Sequence, residues 1–300
     1  MKTLIVIVGP TGIGKTDLAI NIAQKLDTEI ISADSRQFYK ELRIGTAMPD
    51  QEQLEAVKHH FTGHLSIHHY YNASRFEIDV LRFLELFFKT NDHAILVGGS
   101  GMYIDVICSG IDDLPDIDQE IRTGLQQKFE KEGIESLRFE LKRLDPEYYS
   151  IVDLKNPKRI LKGLEICLMT GKTYTSFRTS EKKKRDFNIV KIGLNMDREK
   201  LYERINQRVD KMIESGLIDE AREFYPQRDI NALKTVGYKE LFECFDGKYD
   251  LNKAIELIKR NSRHYAKRQL TWFGRDKEIR WFEPDQQNEI LRFIYSKTKM

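Results

Sequence analysis

Residues 9–16 read Gly9-Pro10-Thr11-Gly12-Ile13-Gly14-Lys15-Thr16, a Gly-x-x-x-x-Gly-Lys-Thr string. The apolar run Thr3-Leu4-Ile5-Val6-Ile7-Val8 leads into it, and Asp17 to Ala23 follow with helical spacing. A strand feeding a glycine-rich turn that opens a helix is the context in which this string grips phosphate. Backbone N–H groups of such a loop curl around an anion, and the helix N-terminus adds its dipole. Lys15 is placed to reach a terminal phosphate, and the Thr16 hydroxyl to hold Mg²⁺. At ordinary residue usage the string arises by chance in roughly one chain of this length in a hundred. Its flanks lower that further, so Gly9, Pro10, Thr11, Gly12, Ile13, Gly14, Lys15 and Thr16 are read as a holder of a di- or triphosphate. Taken alone, the loop points to an ATP or GTP user.

Three hundred residues with an apolar fraction of 40% can bury one large core or two modest ones. The net charge is only +2, so affinity for a polyanion has to come from local patches. Cys108, Cys167 and Cys244 are far apart and form no Cys-x-x-Cys pair, which argues against disulfides or zinc and fits a reducing cytoplasm. The first strand starts too early for a secretory leader, and no apolar stretch reaches membrane-spanning length. A cytoplasmic protein without a membrane partner is expected. Nothing in the sequence requires a dimer, so a monomer is expected as well.

Strand and helix alternate through the first hundred residues. Thr28 to Ala33 and Ala94 to Val97 read as further strands, short and apolar, as in a parallel sheet covered on both faces. From about residue 114 the pattern turns helical, over Asp116 to Glu132, Ile134 to Leu144 and Pro157 to Met169. A strand returns at Asn188 to Leu194, and helices follow at 197–215, 217–224 and 250–273. The fold class is therefore α/β: a parallel sheet flanked by helices over 1–113 and 187–300, with a helical insertion over 114–186 and a helical C-terminal extension. Gly171-Lys172-Thr173 mimics a second phosphate loop, but its first glycine position is Ile166 and no strand launches it. The charge run Glu181 to Asp186 reads as a solvated loop.

Asp34-Ser35-Arg36-Gln37 lies just past the second strand, at the end of the sheet where ligands bind. A carboxylate there faces the phosphate loop and can act as a general base or metal partner; a helix cap is the structural alternative. Gly98-Gly99-Ser100-Gly101 closes the next strand without the acid that many phosphate-loop NTPases use to hold Mg²⁺. That favours a transferase over a motor or switch, and the glycines are read as letting a second substrate pass close to the backbone. Leu257 to Arg275 carries Lys259, Arg260, Arg263, Lys267, Arg268 and Arg275 with no acid, interleaved with Tyr265, Trp272 and Phe273. This is a composition for tracking a nucleic-acid backbone and stacking bases. Lys155, Lys158, Arg159 and Lys162 form a second basic segment. Arg204 and Arg208 share a helix face, able to clamp pyrophosphate or to pair with neighbouring acids. The histidines His59, His60, His64, His68 and His69 lack the spacing of a zinc site and read as a loop or surface.

Taken in order from residue 9 to residue 272, these motifs resemble the bacterial tRNA dimethylallyltransferases, also called tRNA isopentenyl transferases. The resemblance rests on Gly9 to Thr16, Asp34 to Tyr39, Ile44 to Ala47, Gly98 to Tyr103, Ile205 to Arg208, Thr235 to Glu240 and Tyr265 to Trp272. It implies a P-loop NTPase-like sheet and transfer of dimethylallyl from dimethylallyl diphosphate to N6 of the adenosine 3′ to a tRNA anticodon. By the same resemblance, Lys15, Thr16 and Arg208 hold the diphosphate and its Mg²⁺, with Thr16 as the protein's metal ligand. Thr11 bonds near the bridging oxygen, and Asp34 accepts the N6 proton. Asp34, Ser35, Arg36, Gln37, Ser100, Thr123, Lys158, Arg159, Ile160, Leu161, Lys162, Lys267 and Arg268 face the anticodon stem-loop. Met48 replaces a family lysine, and Ser100 a family threonine. The residues alone leave open a phosphate-loop kinase of small molecules, a prenyltransferase acting on free AMP, and a non-catalytic RNA-binding protein.

Overall fold

The computed structural model describes residues 2–112, 114–115, 118–179 and 182–298. Asp116, Ile117 and Glu181, named above in a helix and a charge run, lie outside them. The first unit, residues 1–109 and 185–300, is built on a sheet with strands β1 (Thr3–Val8), β2 (Ile30–Ser32), β3 (His59–His60), β4 (His93–Val97), β5 (Asn188–Leu194) and β6 (Arg280–Phe282). Spatial order is β3-β2-β4-β1-β5-β6, and every recorded pairing is parallel. The central strand β1 is buried along its whole length, which is why it reads as an unbroken apolar run and not an alternating one. The chain leaves β1, passes to β2, and returns to β4 between them, so the ends of β1, β2 and β4 form a crevice at a reversal of strand order.

Helices cover the sheet: α1 (Lys15–Leu26), α2 (Gln51–Ala56), α3 (Ala73–Phe87) and α4 (Gly101–Ser109) before the insertion. The second unit, residues 110–184, holds α5 (Gln119–Glu132), α6 (Ile134–Leu144), α7 (Pro146–Ile151) and α8 (Pro157–Thr170). They pack around their own core of Leu125, Leu137, Leu141, Tyr148, Ile160 and Leu164. Gly171, the glycine of the false phosphate motif, ends α8 in the left-handed conformation, with its N–H on the Cys167 carbonyl. Back in the first unit follow α9 (Arg198–Glu214), α10 (Leu217–Phe224), α11 (Tyr238–Phe245), α12 (Leu251–Phe273) and α13 (Gln287–Thr298).

Two strands escape the sequence reading. β3 has two residues and β6 three, too few to display a period, and both are edge strands held by their neighbours. The second strand is shorter than expected, because Thr28 turns its hydroxyl to the His93 carbonyl before the ladder begins. The return to β5 is fixed by Arg185, which donates to the carbonyls of Val106 and Ile107 and pairs with Glu77, both charges being buried.

Candidate active site

The phosphate loop is shaped by its glycines and anchored by its apolar members. Gly14 caps α1 at φ 98°, a left-handed conformation that glycine adopts without steric penalty. Pro10 and Ile13 are buried, Ile13 completely; Pro10, without an N–H, anchors the loop, and Ile13 has only its backbone N–H to offer an anion. Lys15 opens α1 and folds back to donate to the Pro10 carbonyl at 2.8 Å. Burial, then the Arg208 charge, draws its ammonium from 10.5 down to about 7, against the opposing pull of Asp34. Arg208 is pushed in the same direction by burial and held back by Asp34. The site thus concentrates positive groups that an anion would relieve.

Two cavities open around this loop. One, about 590 Å³, is lined by the phosphate loop with Arg204, Gln207, Arg208 and Lys211 from α9. The other, about 480 Å³, mixes apolar Ile205, Val209 and Met212 with polar groups from the Thr235–Gly237 turn and α12. Four residues line both: Thr11, Asp34, Arg208 and Tyr265. Asp34, Ser35, Arg36 and Gln37 follow β2 and have separate tasks. Asp34 accepts the Arg36 N–H at 3.0 Å. Arg36 donates to the carbonyls of Asn231 and Ala232. Gln37 donates to the Thr46 and Ala47 carbonyls and so fixes the Ile44–Ala47 loop. Ser100 accepts the Ser35 N–H at 3.0 Å and also bonds the Tyr265 hydroxyl. Burial and the charge of Asp34 push the Tyr265 phenol up, so it stays neutral and available as a donor.

Several sequence expectations change here. Gly98, Gly99 and Gly101 are not primarily a passage for substrate, although Gly98 and Gly99 do line the polar cavity. A Cβ on Gly98 would lie 2.3 Å from the Ala33 carbonyl oxygen, on Gly99 2.2 Å from Gln269 Nε2, and on Gly101 2.2 Å from Trp272 Cδ1. Their smallness lets the end of β2 and the face of α12 close on the end of β4. Two of the three aromatics named on α12, Trp272 and Phe273, are not base-stacking groups in the expected way. Phe273 is buried, and Trp272 donates Nε1–H to Asp105 while Arg275 covers its ring. Lys259 and Arg263 are engaged with Asp210 and Asn206, leaving Lys267 and Arg268 as exposed cations at this level of the helix.

In the second unit, Lys158, Arg159 and Thr123 are exposed, and Lys162 and Leu161 half-buried. Ile160 is a correction: its side chain is fully buried in that unit's core, so it cannot be a contact surface. Of the histidines, His60 pairs with Glu29, and His64 packs edge-on to Phe38, Phe61 and Tyr71. The oxygen donors Thr16, Asp17, Asp34 and Asp50 line the polar cavity, a hard chemistry suited to Mg²⁺, although among the described residues no three carboxylate, histidine or cysteine side chains gather as a ready-made metal site. Gln53 engages Asp17 and Asp50, which leaves Thr16 and Asp34 as the better placed of the four.

Sequence reasoning missed Gln269. It is 4% exposed, accepts the Thr11 N–H at 2.8 Å, and donates to the Gly99 carbonyl at 2.9 Å. An amide standing in the apolar stripe of α12, between Ala266 and Phe273, is the signal that could have found it. Glu220 was also missed: its carboxylate accepts the N–H groups of Arg43, Ile44 and Gly45 and the Tyr238 hydroxyl.

A phosphate loop and a carboxylate meeting on the wall between a polar and a half-apolar cavity define a P-loop group-transfer site. The family model described as IPP transferase matches residues 37–276, and the chain belongs to that family. It is 56% identical over 298 residues to tRNA dimethylallyltransferase 1 of Bacteroides fragilis, covering 99% of each chain. It is 57% identical over 294 residues to the protein of that name from Phocaeicola vulgatus, covering 98% of each. Among solved structures, the tRNA isopentenylpyrophosphate transferase of Bacillus halodurans is 34% identical, with a TM-score of 0.74 and coverage of 100% of this chain and 97% of that one. A eukaryotic dimethylallyltransferase acting on tRNA is 26% identical, with a TM-score of 0.81 over 94% of this chain and 74% of that one.

Proposed function

We propose that this chain transfers the dimethylallyl group of dimethylallyl diphosphate to N6 of the adenosine 3′-adjacent to a tRNA anticodon, releasing diphosphate. The observation that carries this is the shared wall of Thr11, Asp34, Arg208 and Tyr265 between the two cavities. The diphosphate lies in the polar cavity, on the loop N–H groups, Lys15 and Arg208. Thr16 would hold Mg²⁺, which would supply neutralisation of the diphosphate charge. The adenine enters from the half-apolar cavity, so its N6 and the allylic carbon meet at the wall.

The N6–carbon bond forms as the carbon–oxygen bond to diphosphate breaks. An adenine amino group is a weak nucleophile, and Asp34 takes its proton as the new bond develops, worth on the order of a hundredfold or more. The negative charge growing on the leaving oxygen is stabilised by Arg208, Lys15 and the Thr11 hydroxyl. A base in an anticodon loop has to be splayed out at a few kcal/mol. Contacts from Lys267 and Arg268 on α12, and from Thr123, Lys158, Arg159, Leu161 and Lys162 of the second unit, offset that cost. Ser35 and Arg36 line the base-side cavity, Gln37 faces the tRNA from the polar cavity beside them, and Ser100 supports that wall through Ser35 and Tyr265. On the same reading the chain acts as a monomer in the cytoplasm. Incubation with dimethylallyl diphosphate and unmodified tRNA should yield prenylated adenosine. Phosphate transfer from ATP to a small acceptor, with no prenylation, would overturn the proposal.

A further inference from the structure

α12 presents two different faces to the site. Lys267 and Arg268 lie exposed on it, while Tyr265, Gln269 and Trp272 turn inward at one-turn intervals. Tyr265 and Gln269 of this stripe line the site, and Trp272 packs beside it. Tyr265 bonds Ser100, Gln269 joins Thr11 to Gly99, and Trp272 bonds Asp105 while lying against Gly101. Gln269 is the only one of these three that grips the phosphate loop, and it is the most buried. Its two bonds use both ends of one amide, so acceptor and donor are fixed in a single orientation. A Cβ on Gly99 would lie 2.2 Å from its Nε2, so the approach needs a glycine there.

We infer that Gln269 is a positioning residue for the transfer, aiming the Thr11 hydroxyl at the leaving oxygen by holding the Thr11 N–H. In a free phosphate loop that N–H would be available to turn toward the anion. Here Gln269 accepts it, so the loop grips phosphate through its later N–H groups while Thr11 stays on the wall between the cavities. The inference rests on the prenyl-transfer reading above. It adds that α12, which carries exposed cations on its outer face, sets the geometry of the phosphate loop through one amide. Neither the charge of the site nor its volume changes when that amide is replaced by an isosteric apolar chain. Only the aim of Thr11 and the tie to Gly99 are lost.

The test is a double-variant cycle on single-turnover prenyl transfer, with saturating tRNA and dimethylallyl diphosphate. Gln269→Met should slow transfer at least tenfold and leave tRNA affinity within threefold. Thr11→Ala should slow transfer, and adding Gln269→Met to it should slow it little further, because the hydroxyl being aimed is already gone. Losses that multiply, or a Gln269→Met rate within threefold of wild type, would overturn the inference. Gln269→Glu is the second variant, close enough in shape to fold if the methionine variant does not. Its ionised carboxyl repels the Gly99 carbonyl, while the protonated form can donate to it. Its rate relative to wild type should therefore rise as pH falls from 8 to 6; a flat ratio would contradict the inference. Activity of the wild-type chain tests the prenyl-transfer reading separately, so failure of the cycle with an active wild type condemns only the role of Gln269.

Discussion

Lys15 gives the most quantitative handle on the site. Burial and Arg208 lower its ammonium from 10.5 to about 7. At 1.36 kcal/mol per unit, holding that lysine charged in the ligand-free fold costs about 5 kcal/mol relative to water. A depressed lysine penalises the fold while it must stay protonated. The penalty is full below about pH 7 and is removed as pH rises from there toward 10.5, because the unfolded chain then binds the extra proton. A bound diphosphate reverses the balance, since its charge restores the ammonium. Binding at pH 8 should therefore take up about 0.9 proton per site, and at pH 6 about 0.1. Affinity should fall roughly tenfold per pH unit above 7, until the pKa of the occupied state is reached. Calorimetry of dimethylallyl diphosphate binding without tRNA, in buffers of different ionisation enthalpy, counts those protons. Lys15→Met provides the baseline for the ligand's own ionisation, whose last step lies near pH 6. Equal uptake by wild type and variant at pH 8 would refute the reasoning, as would no uptake by the wild type.

Asp34→Asn should lower single-turnover prenyl transfer about a hundredfold or more while tRNA still binds in a filter or anisotropy assay. Gly98→Ala should destabilise the chain by about 1–3 kcal/mol in denaturant unfolding, because the new methyl meets the Ala33 backbone at 2.3 Å. Gly124→Ala, in α5 with nothing within 4 Å, should instead stabilise by about 0.5–1 kcal/mol. Glu77→Ala should lower stability by about 3–5 kcal/mol by leaving the buried Arg185 charge without its carboxylate, which the same unfolding measurement reads. Lys267→Ala and Arg268→Ala should each weaken tRNA binding and reduce the slope of log affinity against log salt by about 0.7–1.

The parts of this site that were legible in sequence are those whose chemistry needs a fixed local string. Gly9 to Thr16 declares itself because backbone shape, dipole and lysine all come from contiguous residues, and Asp34 because it ends a recognisable strand. What was misread depends on contacts between distant segments. The run Gly98 to Gly101 announces a close approach but not by what; Gln269 and Trp272 stand about 170 positions away. Phe273 and Trp272 have the composition of stacking platforms, and only packing shows that one fills the core and the other is tied to Asp105. Glu220 looks like any helix-surface acid until the Arg43–Gly45 backbone folds onto it. The strands β3 and β6 are too short to carry a period and exist because the neighbouring strands offer a ladder.

The central claim is that the wall shared by the two cavities joins a prenyl diphosphate to an adenine. Nucleoside mass analysis of unmodified tRNA, after incubation with the chain and dimethylallyl diphosphate, tests it most directly. The account predicts that the adenosine 3′ to the anticodon gains one dimethylallyl group, and that Asp34→Asn largely abolishes the gain. Unmodified adenosine with the wild-type chain, or prenylation undiminished in Asp34→Asn, would contradict it.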